Sequence, residues 1–274
     1  MLVKIYTVHD KRVEFLKWQH ATLRRHLEEP YRLIACDNAT ARLDSLRLRL
    51  LCWRLGSRYL AIPGQHHENA NIAASYPLDY LTQEHVARER EADFSVFMDS
   101  DMFLVRRFSF RRFAGEYAIA GVRQTRGALR YLWNGLVVFN HRLLADAHRI
   151  CWACSGSSAS PYHPSQHYRD GRLCGEYVDV GGPTHLFLDE HPALPVRWID
   201  MDRVTRGSPG MERIPEQARA DYAQFAVEEL ASDFLADGAF FHYRAGSNWN
   251  RMNADQTAAK TRVLEAVLAR ALES

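Results

Sequence analysis

The chain has 274 residues, of which 47% are hydrophobic and 25% are charged, and its formal net charge at pH 7 is +2. This composition is typical of a folded globular protein, and the small net charge gives no indication of a nucleic-acid partner. No apolar run approaches the roughly 20 residues that cross a bilayer, so we expect no transmembrane segment, while peripheral contact with a membrane stays open.

The cysteines favour a reducing compartment. Five is an odd number for paired disulfides, and Met1 leads almost directly into a predicted strand without a secretory leader. Reduced thiols are the default in a cytoplasm, so we expect a cytoplasmic protein. Cys151 and Cys154 end a predicted helix at 141–154, where the helix dipole disfavours a reactive thiolate. We interpret this pair as buried, unreactive thiols.

A β-α-β unit opens the chain. Residues 2–8 alternate in polarity and favour a strand, residues 11–29 carry apolar side chains at helical spacing, and residues 31–36 favour a second strand. Because such a crossover makes the two strands parallel, their ends at His9 and Asp37 should meet at one edge of the sheet. The alternative role for Asp37 is to cap the helix that follows.

The next predicted elements are a helix at 40–55 ended by Gly56, a strand at 58–62 and a helix at 80–92. We expect the first of these helices to turn four leucines inward: Leu43, Leu46, Leu50 and Leu51. Residues 65–71 contain two adjacent histidines and a glutamate. Adjacent histidines point apart and no third ligand lies at zinc spacing, so we expect a polar loop over a pocket, with a solvated surface loop as the alternative.

The stretch at 94–104 is the most informative part of the sequence. Four of the five residues at 94–98 are apolar and predict a buried strand, and Asp99 and Asp101 follow it directly. Carboxylates are costly to bury without a partner, so we expect them at the strand end, where open α/β sheets bind ligands. Mg²⁺ and Mn²⁺ take carboxylate oxygens and keep open positions for phosphates. An acidic turn without a ligand is the alternative.

The second half of the chain contains further polar motifs between predicted elements. Strands are predicted at 117–122, 131–140, 196–199 and 239–243, and helices at 184–190, 216–236 and 252–272. A long loop is predicted at 155–172. The motif residues are Trp133, Asn134 and Gly135 in one strand, Glu176 and Asp179 before a Gly-Gly turn, and His242, Arg244 and Trp249 in and after the last strand. Core packing is the alternative for Trp133 and His242, and helix capping for Asp179.

The strand ending in Asp99-Ser100-Asp101, together with the motifs at 133–140, 179–182 and 242–249, resembles the GT-A class of nucleotide-sugar glycosyltransferases. The resemblance implies one GT-A-like α/β domain, with a mixed, mostly parallel sheet flanked by helices. It also implies a division of the 274 residues into a nucleotide-binding half at 1–104, an acceptor-binding half with metal-site closure at 105–250, and a C-terminal helix at 251–274. One departure is that no small residue separates Asn134 from Gly135.

The resemblance further implies roles for individual residues. Asp99, Asp101 and His242 would hold Mn²⁺ or Mg²⁺, with Asp101 as the most direct ligand. Contacts to the nucleotide sugar would come from Val8, His9, Asp37, Asn71, Asp99, Ser100, Trp133, Asn134, Arg244 and Trp249, with His67 as a further candidate. Asp179, with Glu176 in reserve, would face the acceptor hydroxyl and act as general base in an inverting enzyme.

The implied reaction is transfer of a sugar from a nucleoside diphosphate sugar, preferably a UDP-sugar, to a hydroxyl of a carbohydrate, lipid-linked or small-molecule acceptor. A haloacid-dehalogenase-like phosphatase also has a strand ending in Asp-x-Asp, but it usually has Thr or Val where this chain has Phe103. A nucleotidyltransferase would need a Gly-rich loop after the first strand, which the sequence lacks. A non-catalytic nucleotide-sugar-binding protein is the alternative from a different class.

Overall fold

The computed structural model describes residues 1–10, 12–39, 41–63, 70–155, 168–169, 172–224, 231–244 and 252–274. His67 and Trp249, which the sequence analysis proposed as ligand contacts, lie outside the described residues. The strands are β1 (Val3–His9), β2 (Tyr31–Asp37), β3 (Arg58–Ala61), β4 (Phe94–Met98), β5 (Met102–Leu104), β6 (Ile119–Arg126), β7 (Leu129–Asn140), β8 (Tyr168–Arg169), β9 (Arg172–Leu173), β10 (Val196–Ile199), β11 (Met201–Arg203), β12 (Asp233–Leu235) and β13 (Phe240–His242). The α-helices are α1 (Phe15–His26), α2 (Arg42–Leu55), α3 (Ala70–Leu81), α4 (Phe110–Ala114), α5 (Thr184–Glu190), α6 (Pro209–Glu212), α7 (Glu216–Ala223) and α8 (Ala254–Glu273).

The fold is a mixed α/β architecture built on a seven-stranded sheet in the order β10-β6-β7-β4-β1-β2-β3. Strand β7 runs antiparallel to both of its neighbours, and the other pairs in this sheet are parallel. Four of the six strand pairs are parallel, so the sheet is mixed and mostly parallel, and helices flank it, as the resemblance implies. A second sheet, β11-β12-β13-β5, is antiparallel throughout and branches from the main one where β4 passes into β5.

The central strands are buried on both faces, as parallel strands between helices usually are. Ile5 and Val96 point to one hydrophobic cluster, while their neighbours Tyr6 and Phe97 point to another on the opposite face. A third cluster joins the smaller sheet to α8 and to Phe15 of α1. Because β7 pairs with β4 only from Leu136 onward, the β6–β7 hairpin extends beyond the carboxyl end of β4.

Helix α2 contradicts the predicted burial of its leucines. Gly56 ends the helix in the left-handed conformation, as expected, with φ = 67°. Leu51 is buried, but Leu43, Leu46 and Leu50 are exposed, and the inward face consists of Leu48, Leu51 and Cys52. The helix is apolar on two faces, and the sequence alone does not say which of them meets the sheet.

The segment at 141–154 is not the predicted helix. It contains one 3-10 turn, Ala147–Arg149, followed by extended chain. The backbone N–H of the buried Trp152 donates to Asp79 Oδ1 at 2.7 Å, and its indole N–H donates to Thr82 Oγ1 at 2.9 Å. These bonds to α3 and the residue after it replace the helical ones. Cys154 is buried as predicted, whereas Cys151 is only partly buried; desolvation still raises the pKa of the Cys151 thiol, which agrees with an unreactive role.

Two other predicted helices have different boundaries. Helix α3 ends at Leu81 and passes into one π-helical turn, Thr82–Val86, so the predicted helix at 80–92 is wrong. Helix α7 ends at Ala223, and Asp233 belongs to strand β12 instead of the predicted helix at 216–236. In the described parts of the chain, no helix combines the length and the apolar character needed to cross a membrane.

Candidate metal and nucleotide site

Asp99 and Asp101 lie in a tight turn between β4 and β5, at the carboxyl end of the central strands. The Asp99 N–H donates to the Gly135 carbonyl of β7 at 2.9 Å, and the Met102 N–H donates back to the Asp99 carbonyl at 3.1 Å. Ser100, between them, is buried. The backbone of this turn is thus anchored to the main sheet at Asp99 and continues into β5 of the smaller sheet after Asp101.

The side chain of Gln19, in α1, hydrogen-bonds to the backbone of the same turn. Its buried side-chain amide donates to the Asp99 carbonyl at 2.8 Å and to the Met102 carbonyl at 3.1 Å. The other end of this amide, Oε1, has no hydrogen-bond partner among the described residues. Gln19 is not predictable from the sequence, because a glutamine in an amphipathic helix carries no signal that it will reach a turn 80 residues away.

His242 reaches the two carboxylates from the smaller sheet. Strand β13 pairs with β5 so that His242 lies opposite Met102, and the Tyr243 N–H donates to the Asp101 carbonyl at 2.9 Å. The His242 Nε2 atom lies 3.4 Å from Asp101 Oδ1 and 3.9 Å from Asp99 Oδ2. One potential ligand atom from each of these three residues lies within 4.8 Å of the others. The structure therefore brings together the three residues predicted as metal ligands.

Asp233 binds the ring nitrogen of His242 that faces away from Asp99 and Asp101. Its role was not predicted from the sequence. It lies opposite His242 in the β12–β13 pair, and its Oδ2 accepts a hydrogen bond from His242 Nδ1 at 3.2 Å. Its Oδ1 accepts from Arg203 Nε at 3.1 Å. A carboxylate behind a metal-ligating histidine is a common arrangement, because it fixes the ring and leaves the far nitrogen for the metal.

The electrostatics of this cluster favour a cation. Partial burial, followed by the neighbouring Asp101 carboxylate, raises the pKa of Asp99. Burial alone would lower the pKa of His242, but Asp101 and Asp233 outweigh it and raise that pKa to about 9. Two carboxylates and one imidazole form a donor set that suits Mn²⁺ or Mg²⁺. The residues present therefore fit a divalent ion.

His9 and Asp37 lie at the ends of β1 and β2, as predicted, and both are buried. Tyr59 donates to Asp37 Oδ2 at 2.6 Å and the Ala39 N–H donates to Oδ1 at 2.9 Å, so both oxygens already have one protein partner. His9 Nε2 bonds Thr7 Oγ1 at 2.8 Å, while its Nδ1 has no partner among the described residues. Burial lowers the pKa of His9 to about 4, against the opposing effect of Asp37 and Asp101. His9 is a neutral group with one unused nitrogen.

Trp133 and Asn134 lie beside the carboxylates on β7. The Trp133 ring packs against the His242 ring, with 5.1 Å between centroids, and folds over Gly135. A Cβ on Gly135 would lie 2.0 Å from the Trp133 ring, so only glycine fits there. Asn134, Asp99 and Val8 line a small cavity of about 40 Å³. The structure thus places three predicted contact residues, Val8, Asp99 and Asn134, around one opening, and Trp133 precedes Asn134 in β7.

Asp179 and Asn71 form a second polar group. Asn71 donates to Asp179 Oδ1 at 2.8 Å, and Arg126, at the projecting end of β6, donates to Oδ2 at 3.4 Å. The Glu176 side chain lies beside Gly127, in the turn of the same hairpin. Neither acidic residue belongs to the cluster of ligand atoms around Asp101. The structure pairs Asn71 with Asp179, which the sequence analysis had placed in separate roles.

Arg244 and Lys260 lie next to the end of β13, the strand that carries His242. Arg244 follows β13 with φ = 35°, and its carbonyl accepts a hydrogen bond from the buried Lys260 of α8. The Lys260 ammonium lies 4.9 Å from the centroid of the Tyr243 ring. Burial lowers the pKa of Lys260 to about 8, although Asp101 acts in the opposite direction. Lys260 is a second cation near the carboxylates that sequence reasoning did not single out.

A larger cavity, about 310 Å³, lies near the amino ends of the strands and is lined by Lys4, Arg88 and Glu89 among other charged residues. Lys4 pairs with Glu89 at 2.8 Å, and Arg88 pairs with Glu84 at 2.6 Å. These four charges are therefore paired within the protein. The cavity is far from the strand ends where α/β sheets usually bind ligands, so the smaller opening at Asp99 is the better candidate.

No family model matches the chain, and no curated protein matches its sequence. Among solved structures, the chain is similar over part of its length to the glycosyltransferase GlyE of Streptococcus pneumoniae TIGR4, with 14% identity, 51% of this chain and 34% of that chain covered, and a TM-score of 0.32. It is also similar to the bifunctional glycosyltransferase WbbM (16% identity, 51% and 31% covered, TM-score 0.34) and to S. aureus TarS (11% identity, 56% and 30% covered, TM-score 0.38). The chain thus spans about a third of the length of these structures. Any assignment of function rests on the site itself.

Proposed function

We propose that this protein is a metal-dependent glycosyltransferase with one GT-A-like domain, which moves a sugar from a nucleoside diphosphate sugar to an acceptor hydroxyl. One observation carries the proposal. Asp99, Asp101 and His242 converge at the carboxyl end of a mostly parallel sheet, with His242 held by Asp233. A site with two carboxylates and an imidazole beside two strand ends suits a metal-bound diphosphate.

In this proposal, Asp99, Asp101 and His242 hold Mn²⁺ or Mg²⁺. The bound ion would neutralise charge on the diphosphate as it leaves the sugar. Gln19 and Asp233 keep the ligands in place, since the first fixes the turn backbone and the second fixes the imidazole. Arg244 and the Ser100 hydroxyl contact phosphate or ribose oxygens, and the ammonium of Lys260 adds positive charge behind the ligands.

The nucleotide and sugar contacts follow from the strand ends. Val8 and Asn134 line the opening at Asp99, and Trp133 offers a ring face on which a sugar can stack. His9 and Asp37 are the groups for the base and ribose, and the unused Nδ1 of His9 supports this role. UDP is the preferred nucleotide, because a uracil imide and a ribose diol both present hydrogen-bond donors to a carboxylate.

Asp179 is the proposed acceptor-side carboxylate. Asn71 and Arg126 fix both of its oxygens, and about a third of its side-chain surface is exposed. A general base must accept a proton from the acceptor hydroxyl, so the long 3.4 Å bond from Arg126 is the one that would have to open. Glu176 is the reserve candidate for this role. The acceptor would be a carbohydrate, a lipid-linked sugar or a small molecule.

The experiment is a thermal-unfolding panel with UDP, GDP, CDP and ADP, each with and without MnCl₂. A ligand at about 100 times its dissociation constant stabilises the native state by about 2.7 kcal/mol, which should raise the midpoint by several degrees. We expect one nucleotide to do so only with Mn²⁺, and Asp101→Asn to abolish the shift. Asp189→Asn, an exposed acid on α5, is the matched control that should keep it.

The same nucleotide should then appear as the product when the protein is incubated with the corresponding nucleotide sugar and an acceptor. If no nucleotide shifts the midpoint in the presence of Mn²⁺, the glycosyltransferase proposal fails, and phosphatase substrates come next. If a nucleotide sugar binds with Mn²⁺ but no acceptor gives turnover, the non-catalytic binding protein is the better interpretation.

A further inference from the structure

Helix α2 presents an apolar stripe to the outside of the molecule. Leu43, Leu46, Leu50 and Trp53 are 67%, 53%, 47% and 80% exposed. They account for four of the nine large hydrophobic side chains that are exposed in the described residues, and the other five are scattered on other elements. At about 100° per residue the four lie within an arc of about 80°, and they extend about 15 Å along the helix. A contiguous exposed patch of this kind marks an interaction surface.

Arginines border this stripe on both sides. On the helical wheel, Arg42 and Arg49 lie along one edge of the stripe and Arg47 and Arg54 along the other, and all four are exposed. The helix carries one acidic residue, Asp44, which pairs with Arg47 at 3.2 Å. Long arginine side chains can keep their charge in a layer of phosphates while an apolar stripe between them enters a lipid surface.

The type of exposed side chain also favours a lipid surface. Trp53 is the most exposed of the four, and tryptophan is favoured at the boundary between water and hydrocarbon because its ring is apolar and its N–H is polar. The neighbouring helix α1 adds basic residues, since Lys17 and Arg24 are exposed on it and His20 between them hydrogen-bonds to the Leu55 backbone of α2. The surface around the stripe is therefore positively charged.

We propose that the stripe of Leu43, Leu46, Leu50 and Trp53, with its flanking arginines, docks this protein onto an anionic membrane surface. The helix lies in the plane of the headgroups, with its opposite face, Leu48, Leu51 and Cys52, still buried in the protein. A second copy of this chain fits less well, because two such stripes packed together would place arginine against arginine. The proposal does not depend on the sugar-transfer reaction.

The docking would also orient the molecule. Helix α2 starts five residues after Asp37, which ends β2 at the edge of the sheet that carries the metal ligands. It packs beside β3, the outermost strand. A membrane along the stripe would therefore meet the flank of the sheet and lie close to the end where the candidate site opens.

The test is flotation of the full chain with vesicles of phosphatidylcholine alone and with vesicles that also contain phosphatidylglycerol. We expect binding to the anionic vesicles that weakens as salt rises. Leu46→Ser/Trp53→Ser should reduce this binding at least about tenfold, since the apolar contact is lost. Arg49→Gln/Arg54→Gln should reduce it by a similar factor, because each arginine contributes about fivefold near an anionic surface.

Matched controls are Leu143→Ser, which removes an exposed leucine elsewhere, and Arg206→Gln, which removes an exposed arginine elsewhere. Both should float like the original chain, and all variants should keep its thermal midpoint, because the altered side chains are exposed. The proposal is overturned if the chain does not bind anionic vesicles or if the stripe variants bind equally well. A dimer in solution that Leu46→Ser/Trp53→Ser converts to a monomer would overturn it in favour of a second copy.

Discussion

His242 donates a hydrogen bond from Nδ1 to Asp233 at 3.2 Å, and this contact turns its Nε2 toward Asp99 and Asp101. Burial alone would raise the pKa of Asp233, but the bond from His242 and the charge of Arg203 lower it, so the group is an ionised acceptor. An ionised carboxylate accepts hydrogen bonds only, which requires the proton on Nδ1. The other ring nitrogen, Nε2, faces the two carboxylates. Because Asp101 and Asp233 outweigh burial and raise the pKa of His242 to about 9, a divalent ion that binds Nε2 would displace the proton this nitrogen carries at neutral pH.

Asp233→Asn should weaken Mn²⁺ binding about 10- to 100-fold, the usual effect of removing a group that orients a metal ligand. The asparagine amide can donate to Nδ1 and thereby favour the tautomer that blocks Nε2. Titration calorimetry with Mn²⁺ measures the change. Asp202→Asn is the control, because Asp202 lies on the adjacent strand and pairs with Arg213 at 3.1 Å near the surface. Equal Mn²⁺ affinity in the original chain and Asp233→Asn would contradict this role.

Gln19→Met should both destabilise the protein and loosen the metal site. Methionine keeps the length of the side chain but leaves the Asp99 and Met102 carbonyls without their donor. An unsatisfied buried polar group costs about 1–3 kcal/mol, so urea denaturation should show a loss of this size. Lys17→Ala, an exposed substitution on the same helix, should have little effect.

The additional stabilisation by Mn²⁺ separates the two roles of Gln19. If the glutamine positions the ligands, Mn²⁺ should raise the thermal midpoint of Gln19→Met by less than it raises that of the original chain. An unchanged increment would reduce Gln19 to a purely structural residue.

The sequence was sufficient to select the three residues, Asp99, Asp101 and His242, that the structure brings together as candidate metal ligands, because two features are local. An apolar strand followed by two carboxylates favours a cation at its end, and the last strand carries the histidine that can complete the set. The groups that hold these ligands are not local. Asp233 falls in a segment whose pattern predicts a helix, and Gln19 acts across 80 residues of chain. Their roles depend on strand pairing and helix packing, which no pattern in the sequence reveals.

The fold shows the same division. The parallel pairing of β1 with β2 follows from the strand-helix-strand pattern at the start of the chain, and the structure confirms it, together with the mixed, mostly parallel sheet that the resemblance implied. The inward face of α2 does not follow, because the helix has one apolar face for the sheet and another that stays exposed. The helix predicted at 141–154 does not form, because Trp152 donates its hydrogen bonds to Asp79 and Thr82 instead. Tertiary partners decide such segments, and they override local propensity.

Gly135→Ala should disrupt the opening at Asp99. The new Cβ would lie 2.0 Å from the Trp133 ring, which would have to leave its place against His242. We expect Mn²⁺-dependent nucleotide binding to fall by about tenfold or more, because the displaced ring also disturbs the Gly135 carbonyl that anchors Asp99. Binding is measured by calorimetry with the nucleotide that the thermal panel selects.

A double-mutant cycle tests the cause of this loss. In a Trp133→Ala background the clashing ring is absent, so adding Gly135→Ala should cost much less than it does in the original chain. If Gly135→Ala is equally harmful in both backgrounds, the ring contact is not the reason, and the loss must come from the backbone.

Glu89 provides a stability prediction away from the site. Its carboxylate accepts from Lys4 Nζ at 2.8 Å and from the backbone N–H groups of Arg90, Glu91 and Ala92. Burial alone would raise the pKa of Glu89, but these donors lower it to about 2. A folded-state pKa below the unfolded value of about 4.5 gives a stabilisation that is complete above pH 4.5 and disappears as the pH falls toward 2.

Glu89→Gln should therefore cost roughly 3 kcal/mol of unfolding free energy at pH 7 and clearly less near pH 3, where the carboxyl group is already mostly protonated in the unfolded chain. Urea denaturation at the two pH values measures both differences. Glu91→Gln is the control, because Glu91 also bonds Lys4, at 3.3 Å, but its side chain is mostly exposed, so its loss should matter less. A Glu89→Gln effect of the same size at both pH values would show that the ionised carboxylate is not what stabilises this region.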